Sequence, residues 1–224
     1  LKLRYQVFNA EMKGEKAGEA DGGIDYDIFD LRSRHLLVID NRTGETVGTY
    51  RMNTIESAKR PSGFYSHREF SVEDLPPQVL EYGVEAGRAC VAREHRNTKV
   101  LFLLFKGLAA YVKLMGKRYL FGCCSIFDER PEIAVAAYRK LRDDGHLHDR
   151  FAVRPRDAST AVDIGLPFDT EAVKLPPLFN MYLRFGAKIC STPMIDTDFH
   201  TSDLFVVLDL QTMEPKYRKM FFGN

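Results

Sequence analysis

The stretch that begins at Glu85 constrains the fold of this chain more than any other. Residues 85–92 have the composition of a β-strand, and a basic turn at residues 93–97 separates them from a long apolar stretch at residues 98–115. Residues 119–127 are apolar on both faces, as in a strand at the centre of a sheet. A strand, a long helix and a second strand in direct succession predict an α/β fold with a central sheet.

Residues 98–115 are predicted to form an amphipathic helix. The apolar residues recur at helical spacing, while Lys99, Lys106 and Lys113 recur every seven residues and form one charged stripe. Gly116 follows as a residue that can end a helix. The first turn of such a helix has free backbone amides, and with the basic residues before it this predicts a phosphate-binding site. A solvated basic turn is the alternative.

The rest of the chain contains further predicted helices and strands. Gly44 can adopt a positive φ in a hairpin turn at residues 41–44. Helices are predicted at residues 2–12, 131–145 and 176–186, strands at residues 35–40, 45–52, 187–190 and 204–210, and irregular segments at residues 13–30 and 53–78. This order does not fit a doubly wound sheet, so it predicts a mixed sheet with helices on both faces. We expect one domain, residues 1–224, with a basic and aromatic tail at residues 211–224.

The composition argues against several classes of protein. The 224 residues are 45% hydrophobic, which is enough for one sizeable core, and the net charge of +1 argues against a nucleic-acid partner. No apolar run reaches the length of about 18 residues that a membrane-spanning helix needs. The cysteines fit neither the spacing of a zinc site nor a secreted disulfide framework, so we expect a reduced, cytoplasmic protein. They are Cys90, Cys123, Cys124 and Cys190.

Four motifs, spread over most of the chain, carry a resemblance to a known family. They lie at residues 3–11, 35–51, 85–96 and 176–205. Their order and spacing resemble the GCN5-related N-acyltransferase superfamily, and within it the ornithine-lipid synthase, hemolysin-like branch. The first three motifs are also similar to acyl-homoserine-lactone synthases and N-acyl amino acid synthases, whereas the fourth favours the ornithine-lipid branch.

The resemblance implies both a fold and an activity. The implied fold is a mixed central sheet of about seven strands with helices on both faces. The implied activity is transfer of a 3-hydroxy fatty acyl group from acyl carrier protein to the α-amine of ornithine, which gives lyso-ornithine lipid. The phosphopantetheine thioester of the carrier protein would be the donor, and no permanently bound cofactor is expected.

The basic turn departs from the pattern of relatives that use acetyl-coenzyme A. Those relatives carry a glycine-rich turn after an arginine, whereas residues 93–99 contain no glycine. The absence of these glycines favours a carrier-protein donor over coenzyme A. Two alternatives to the implied function remain: an N-acyl amino acid synthase with a different acceptor, and a non-enzymatic, hemolysin-like membrane-active protein.

Glu85 is the predicted catalytic base. Transfer to an amine needs the amine neutral, so a group must accept its proton, while a thioester is already activated and needs no enzyme nucleophile. A structural ion pair with an arginine is the alternative role for Glu85. Arg88 lies three residues further on, so strand alternation predicts that it faces the opposite way, in a structural role beside Asp30 or Asp40.

Two groups of polar residues are candidates for substrate binding. Arg93, Arg96 and Asn97 are predicted to hold the phosphate of the donor. An amino acid acceptor needs a cation for its carboxylate, and ornithine also needs an anion for its distal amine. The charged residues around the first helix and the hairpin that offer these groups are Arg4, Arg32, Asp27, Asp30, Asp40 and Arg51.

Other polar motifs do not predict a metal site. His146 and His148 are predicted to lie in a surface loop, and residues 196–200 in a turn near the acceptor. The basic and aromatic residues 216–222 allow two interpretations, namely contact with the inner face of the cytoplasmic membrane or packing on the core.

Overall fold

A computed structural model describes residues 1–12, 23–58, 63–167 and 173–223, and these contain a seven-stranded sheet with helices. In chain order the helices and strands are α1 (Lys2–Arg4, continued by a π-helix over Tyr5–Met12), β1 (Arg34–Ile39), β2 (Thr46–Thr54), α2 (Ile55–Ala58), α3 (Pro77–Glu81), β3 (Gly83–Val91), α4 (Thr98–Leu114), β4 (Tyr119–Ile126), α5 (Pro131–Asp143), α6 (Pro177–Arg184), β5 (Lys188–Ile189), β6 (Met194–Asp196), β7 (Thr201–Asp209) and α7 (Pro215–Phe222). Short 3₁₀ turns span Tyr65–Arg68, Val72–Asp74 and Arg93–His95. The chain divides into two compact units.

The first unit comprises Leu1–Phe64, Val84–Lys117 and Arg218–Asn224. Its strands β1, β2 and β3 are antiparallel, with β2 in the middle. Helix α4 covers one face of β2, where the rings of Tyr50 and Phe105 lie 6.5 Å apart. Gly48 lets the helix approach closely, because a Cβ atom at this position would lie 2.9 Å from a Val100 methyl carbon.

The N-terminal helix covers the other face of the same strands. Leu3 and Val7 form a buried apolar cluster with Cys90 of β3. Because successive side chains of a strand alternate between faces, Thr49, Arg51 and Asn53 of β2 point to this side, away from α4. The prediction of helices on both faces of the sheet is therefore confirmed for these strands.

The second unit comprises Tyr65–Gly83 and Arg118–Tyr217. Strand β7 pairs antiparallel with β4 along its whole length and also with β5 and β6. Both faces of β7 are buried, and the ring of fully buried Phe205 lies 5.7 Å from that of Phe70 and 5.9 Å from that of Phe121. Helix α5 buries its apolar side, including Ile133 and Leu141.

The elements with strong periodicity match their predictions. The hairpin, β3, α4, β4, α5 and α6 lie where the sequence predicted them, to within a few residues at their ends. The positive φ predicted at the hairpin turn is confirmed for Gly44, at 74°. The structure adds β6, α2 and α3, which have no more than five residues each and are too short to show a period.

The C-terminal tail is a helix. The ring of Phe221, in α7, lies 5.9 Å from the rings of both Phe102 and Phe105 of α4. These contacts support the interpretation that the tail packs on the core. No helix within the described ranges combines the length and the apolar composition needed to cross a membrane.

Two glycines of β3 provide a test of this packing. A Cβ atom at Gly83 would lie 2.3 Å from the backbone oxygen of Val79 and 2.6 Å from the ring of Phe121, whereas one at Gly87 would meet nothing within 4 Å. We therefore expect Gly83→Ala to lower the free energy of unfolding by about 1–3 kcal/mol, as overpacking does. Gly87→Ala should change it by less than about 0.5 kcal/mol. Urea unfolding of both variants measures the difference, and equal losses would contradict the packing described.

Candidate active site

A buried ion network joins the N-terminal helix to the segment that precedes β1. Arg4 is only 1% exposed, and its Nε donates to Asp25 Oδ2 at 2.7 Å. Its Nη2 donates to Asp30 Oδ2 at 3.2 Å, and its Nη1 donates to the other oxygen of the same carboxylate. This is a two-pronged pairing of a guanidinium with a carboxylate, the strongest form of such a contact.

The network continues into β2 and β3. Arg51 Nη1 donates to both carboxylate oxygens of Asp27 at 2.7 Å and to Asp30 Oδ1 at 3.3 Å. Arg88 Nη2 lies 3.6 Å from Asp27 Oδ2, and its guanidinium lies over the ring of Phe8 at 5.7 Å. Arg4, Arg51 and Arg88 thus meet three aspartates, so the network is close to neutral.

Charge pairing decides the protonation of this network. Burial raises the pKa of the Asp30 carboxyl, but hydrogen bonds from Arg4 and from the Asp27 amide, together with the charges of Arg4 and Arg51, outweigh it. The pKa of Asp30 therefore lies below its ordinary value. Burial likewise lowers the pKa of Arg4, and the two aspartates that it contacts outweigh that effect and leave the pKa raised. Both groups stay ionised, as buried charges do only when they are paired.

A bulge in β3 places Arg88 in this network. The register pairs Arg51 with Gly87 and Thr49 with Cys90, so two residues of β3 oppose one residue of β2. Arg88 has a φ of 49°, a left-handed conformation that is uncommon for a residue other than glycine. The prediction that Arg88 faces away from Glu85 is wrong, because strand alternation fails at a bulge. Arg88 lies beside Asp27, whereas the sequence predicted Asp30 or Asp40 as its neighbour.

Glu85 lies on the same face of the sheet as this network. It is 6% exposed, and the register places it opposite Asn53 of β2, two residues from Arg51. Asn53 is itself buried, and its side-chain oxygen accepts a hydrogen bond from the Ser57 hydroxyl. The structure therefore brings together a buried carboxylate, a bulged strand and a fixed set of charges, while the role of Glu85 as the base stays a prediction.

The basic turn has a different local arrangement from the one predicted. Asn97 is the N-cap of α4, and its side-chain oxygen accepts from the amides of Lys99 and Val100 at 3.0 and 3.2 Å. These two amides are therefore already satisfied and are not free to bind phosphate. Arg96 donates to Glu11 Oε2 at 2.5 Å and to the Val91 carbonyl oxygen at 3.2 Å, and Arg93 is exposed.

Asp40 lies outside the buried network. Asp40 is in the hairpin turn, where its Oδ1 accepts from the Arg42 amide at 2.9 Å and its Oδ2 lies 3.6 Å from His95 Nε2. These contacts hold the turn. Arg32 is half-buried, and its amide donates to the Phe29 carbonyl oxygen in the turn before β1. Sequence reasoning grouped Asp40 with Arg4 and Arg51, from which the tertiary structure separates it.

Asn53 is a member of this arrangement that sequence reasoning missed, and Asp25 is one that it did not distinguish from the other aspartates of residues 13–30. Asp25 follows a run of small and acidic residues without periodicity, so no pattern distinguishes it from its neighbours. Asn53 lies where the chain was predicted to be irregular, but β2 continues to Thr54. The sequence signal that could have found Asn53 is that it directly continues the predicted strand β2, which pairs with the strand of Glu85.

The arrangement suits abstraction of a proton by the Glu85 carboxylate, beside an N-terminal segment that the ion network holds in place. A buried carboxylate on a central strand can accept a proton from an amine, and the ion network holds the N-terminal segment over the same face. Three independent comparisons with known proteins identify the class of enzyme.

The model of the acetyltransferase (GNAT) domain family matches residues 3–106, which include Glu85 and the whole ion network. Among solved structures, a coenzyme A-dependent acyl-homoserine lactone synthase, BjaI, superposes with a TM-score of 0.54 at 12% identity and covers 98% of this chain and 77% of its own. At that identity the likeness concerns the fold alone. Fold and family model agree on the GNAT class of acyltransferases.

Curated relatives identify the family within this class. An L-ornithine N(alpha)-acyltransferase of Rhizobium meliloti is 34% identical over 96% of this chain and 77% of its own length. One of Brucella abortus is 32% identical over 96% of this chain and 81% of its own. The chain belongs to this family of L-ornithine N(alpha)-acyltransferases, and the predicted fold and enzyme class are confirmed.

Removal of one charge from the ion network provides a test of its role. We expect Asp30→Asn to lower the free energy of unfolding at pH 7 by about 3 kcal/mol, because it leaves buried Arg4 short of a partner. Since the native pKa of Asp30 is lowered, its stabilisation is complete above the ordinary pKa of about 4 and is lost as the pH falls through the native value. The difference between wild type and variant should therefore shrink in acid.

Urea unfolding between pH 3 and pH 7 measures both effects. The control is Asp144→Asn, which removes a half-exposed ion pair with Lys140 on α5 and should change stability by less than about 0.5 kcal/mol. A loss at Asp30 that is as small as the loss at Asp144 would contradict a central role for the network.

Proposed function

We propose that this protein transfers a 3-hydroxy fatty acyl group from the phosphopantetheine thioester of acyl carrier protein to the α-amine of ornithine. The observation that carries the proposal is the buried carboxylate of Glu85, on the face of β3 that also carries the ion network. The relatives that are named for this reaction with ornithine support the choice of acceptor. The proposal takes residues 1–224 as one acyltransferase domain.

In the proposed reaction Glu85 is the base. The α-ammonium of the acceptor binds, loses a proton to Glu85 directly or through one water molecule, and attacks the thioester carbonyl carbon. The tetrahedral intermediate collapses with cleavage of the carbon–sulfur bond, the nitrogen gives up its second proton to form the amide, and the thiolate of phosphopantetheine takes up that proton as it leaves. The thioester supplies the activation, so the protein contributes chiefly positioning and proton transfer.

The ion network has a positioning role in this proposal. Arg4 and Arg51 were predicted to bind substrate directly, but aspartates already pair their guanidinium groups. Their contribution is to hold the segment from Asp25 to Asp30 against the strand that carries Glu85. Arg32, which the sequence also predicted to bind substrate, is half-buried at the end of this segment.

An acyl carrier protein is the proposed donor because of the charges on α4. Lys99, Lys106 and Lys113 are exposed along this helix, and Arg93 and Arg96 lie just before it. Carrier proteins are acidic, so this surface offers complementary charge for docking. The basic turn has no glycines and its helix amides are capped by Asn97, which favours contact through arginine side chains over enclosure of a diphosphate.

The role of Glu85 is tested by Glu85→Gln. The amide preserves size and shape but cannot accept the proton, so we expect kcat to fall by about 10²–10⁴-fold. Acylated ornithine is measured by mass spectrometry after incubation with 3-hydroxyacyl carrier protein, and thermal unfolding checks that the variant is folded. Glu132→Gln, which changes an exposed glutamate in the first turn of α5, is the control and should keep full activity. A folded Glu85→Gln enzyme with near-normal kcat would exclude Glu85 as the base.

The donor is tested by reversing charge on α4. The double variant Lys99→Glu with Lys106→Glu should raise KM for acyl carrier protein about tenfold and leave KM for ornithine unchanged, because electrostatic docking involves the donor alone. A short acyl thioester without a carrier protein should react equally well with both enzymes. Lys140→Glu, on the exposed side of α5, is the matched control. If the control has the same effect, or if acyl-coenzyme A serves as well as the carrier protein, this donor surface is refuted.

A further inference from the structure

The second unit contains an acidic cluster that the proposed reaction does not use. Oxygens from the carboxylates of Glu69, Asp196 and Asp203 all lie within 4.8 Å of one another. All three residues belong to this unit, so the cluster is formed within one compact part of the chain. Three carboxylates at such distances repel one another unless a cation or protons compensate their charge.

The cluster lies where a β-hairpin meets the segment that ends at Phe70. Asp196 is the last residue of β6, and Asp203 lies on β7, the strand with which β6 pairs. Asp203 and Phe205 point to the same face of β7, because successive side chains of a strand alternate. The ring of Phe205 lies 5.7 Å from that of Phe70, the residue that follows Glu69. A ligand shared by the three carboxylates would therefore join the β6–β7 hairpin to the segment of Glu69.

Within the described ranges, no positively charged side chain pairs with this cluster. None of the ion pairs there includes Glu69, Asp196 or Asp203. Neutral groups contact the cluster instead. Thr201 Oγ1 donates to Asp203 Oδ1 at 3.0 Å, and the amide of Asp198 donates to Asp196 Oδ1 at 2.9 Å. The network of the first unit differs, because arginines of the chain itself pair with its aspartates.

One oxygen of the cluster lacks a hydrogen-bond donor. Glu69 is 7% exposed, and its Oε2 is a buried atom that makes no hydrogen bond with the described residues. This oxygen belongs to the carboxylate that meets the two aspartates, and ionised carboxylates can only accept hydrogen bonds. A buried polar atom without a partner calls for an explanation in a native protein. A cation among the three carboxylates provides one, because it attracts this oxygen without any hydrogen-bond donor.

We propose that Glu69, Asp196 and Asp203 bind a divalent cation of the class that prefers oxygen ligands, namely Mg²⁺, Mn²⁺ or Ca²⁺. The three side chains offer carboxylate oxygen alone, which suits these ions, whereas zinc sites are usually built with histidine nitrogen or cysteine sulfur. Asp196 is half-exposed, so water can reach one side of the cluster and complete a shell of about six or more ligands. The cation would have a structural role in the second unit, independent of the proposed reaction. The sequence analysis predicted no metal site at residues 196–200.

Binding of the cation to the full chain is the test. The protein is stripped of metal with EDTA, and its melting temperature is measured with MnCl₂, MgCl₂ or CaCl₂ and with NaCl at the same ionic strength. We expect at least one divalent cation to raise the melting temperature by about 5–10 °C when it is present at about 100 times its Kd, because it binds the folded state. The matched NaCl solution should not produce this shift.

Two variants locate the site. Asp196→Asn keeps an oxygen that can accept from the Asp198 amide, and Asp203→Asn keeps one that can accept from the Thr201 hydroxyl, while each removes a charged ligand. Each should weaken binding of the most stabilising cation at least about tenfold in calorimetric titrations, because affinity depends on the number of charged ligands. Asp198→Asn, which removes an exposed charge from the turn between β6 and β7, is the matched control and should bind as wild type does.

The outcomes decide for or against the site without any measurement of activity. Circular dichroism of the stripped proteins checks folding, and if buried Asp203→Asn does not fold, Asp196→Asn at the half-exposed position decides alone. A wild-type protein that no divalent cation stabilises beyond NaCl refutes the site, and shared protons then account for the three carboxylates. Binding that the folded variants retain, or that Asp198→Asn loses to the same extent, also overturns the proposal, because the cation would then bind elsewhere.

Discussion

The pairing of Arg4 with Asp30 is the contact on which the arrangement of the first unit depends. It buries a guanidinium that is 1% exposed and fixes the N-terminal helix to a segment that otherwise has no regular structure. Through Asp27 the same segment is held to Arg51 of β2 and Arg88 of β3. Because each of these charges would be costly to bury alone, the helix, the segment and both strands must come together as a set.

The bulge at Arg88 links this network to the chemistry. A regular strand would direct Arg88 away from the face that carries Glu85, and the network would lose its third arginine. The left-handed backbone at Arg88 costs on the order of 1 kcal/mol, and the contacts with Asp27 and Phe8 hold it in place. The strained backbone at Arg88, three residues from Glu85, is thus offset by a contact with Asp27, which is distant in sequence.

The pKa values of buried carboxylates are shifted in opposite directions in the two units. Asp30 is surrounded by arginines, which keep its pKa below the ordinary value, whereas Glu69 and Asp203 have neutral donors and each other, and their pKa values are raised. Burial acts in the same direction on all three. The difference is that arginines of the chain itself compensate Asp30, while the other two have no such partner within the described residues.

The periodicity of the sequence was enough to predict the main elements. The lysine stripe and apolar face of α4 fix its length and exposed side, and apolar residues on both faces of β4 identify a central strand. Family motifs led to Glu85 as the candidate base. The positions of these helices and strands, and the choice of Glu85, depend on neighbouring residues and on recurrent spacing. A single sequence contains both kinds of information.

What the sequence could not provide is the choice of partners. Arg4 and Arg51 have the residue types of a carboxylate-binding site, and only the tertiary structure shows that Asp25, Asp27 and Asp30 already occupy them. Glu69 lies in a segment without periodicity, more than 100 residues from the aspartates that it meets. The sequence by itself determined which segments become helices and strands and which residues can carry charge. The tertiary structure decided which charges neutralise one another, because that depends on distances between residues far apart in the chain and on the water excluded around them.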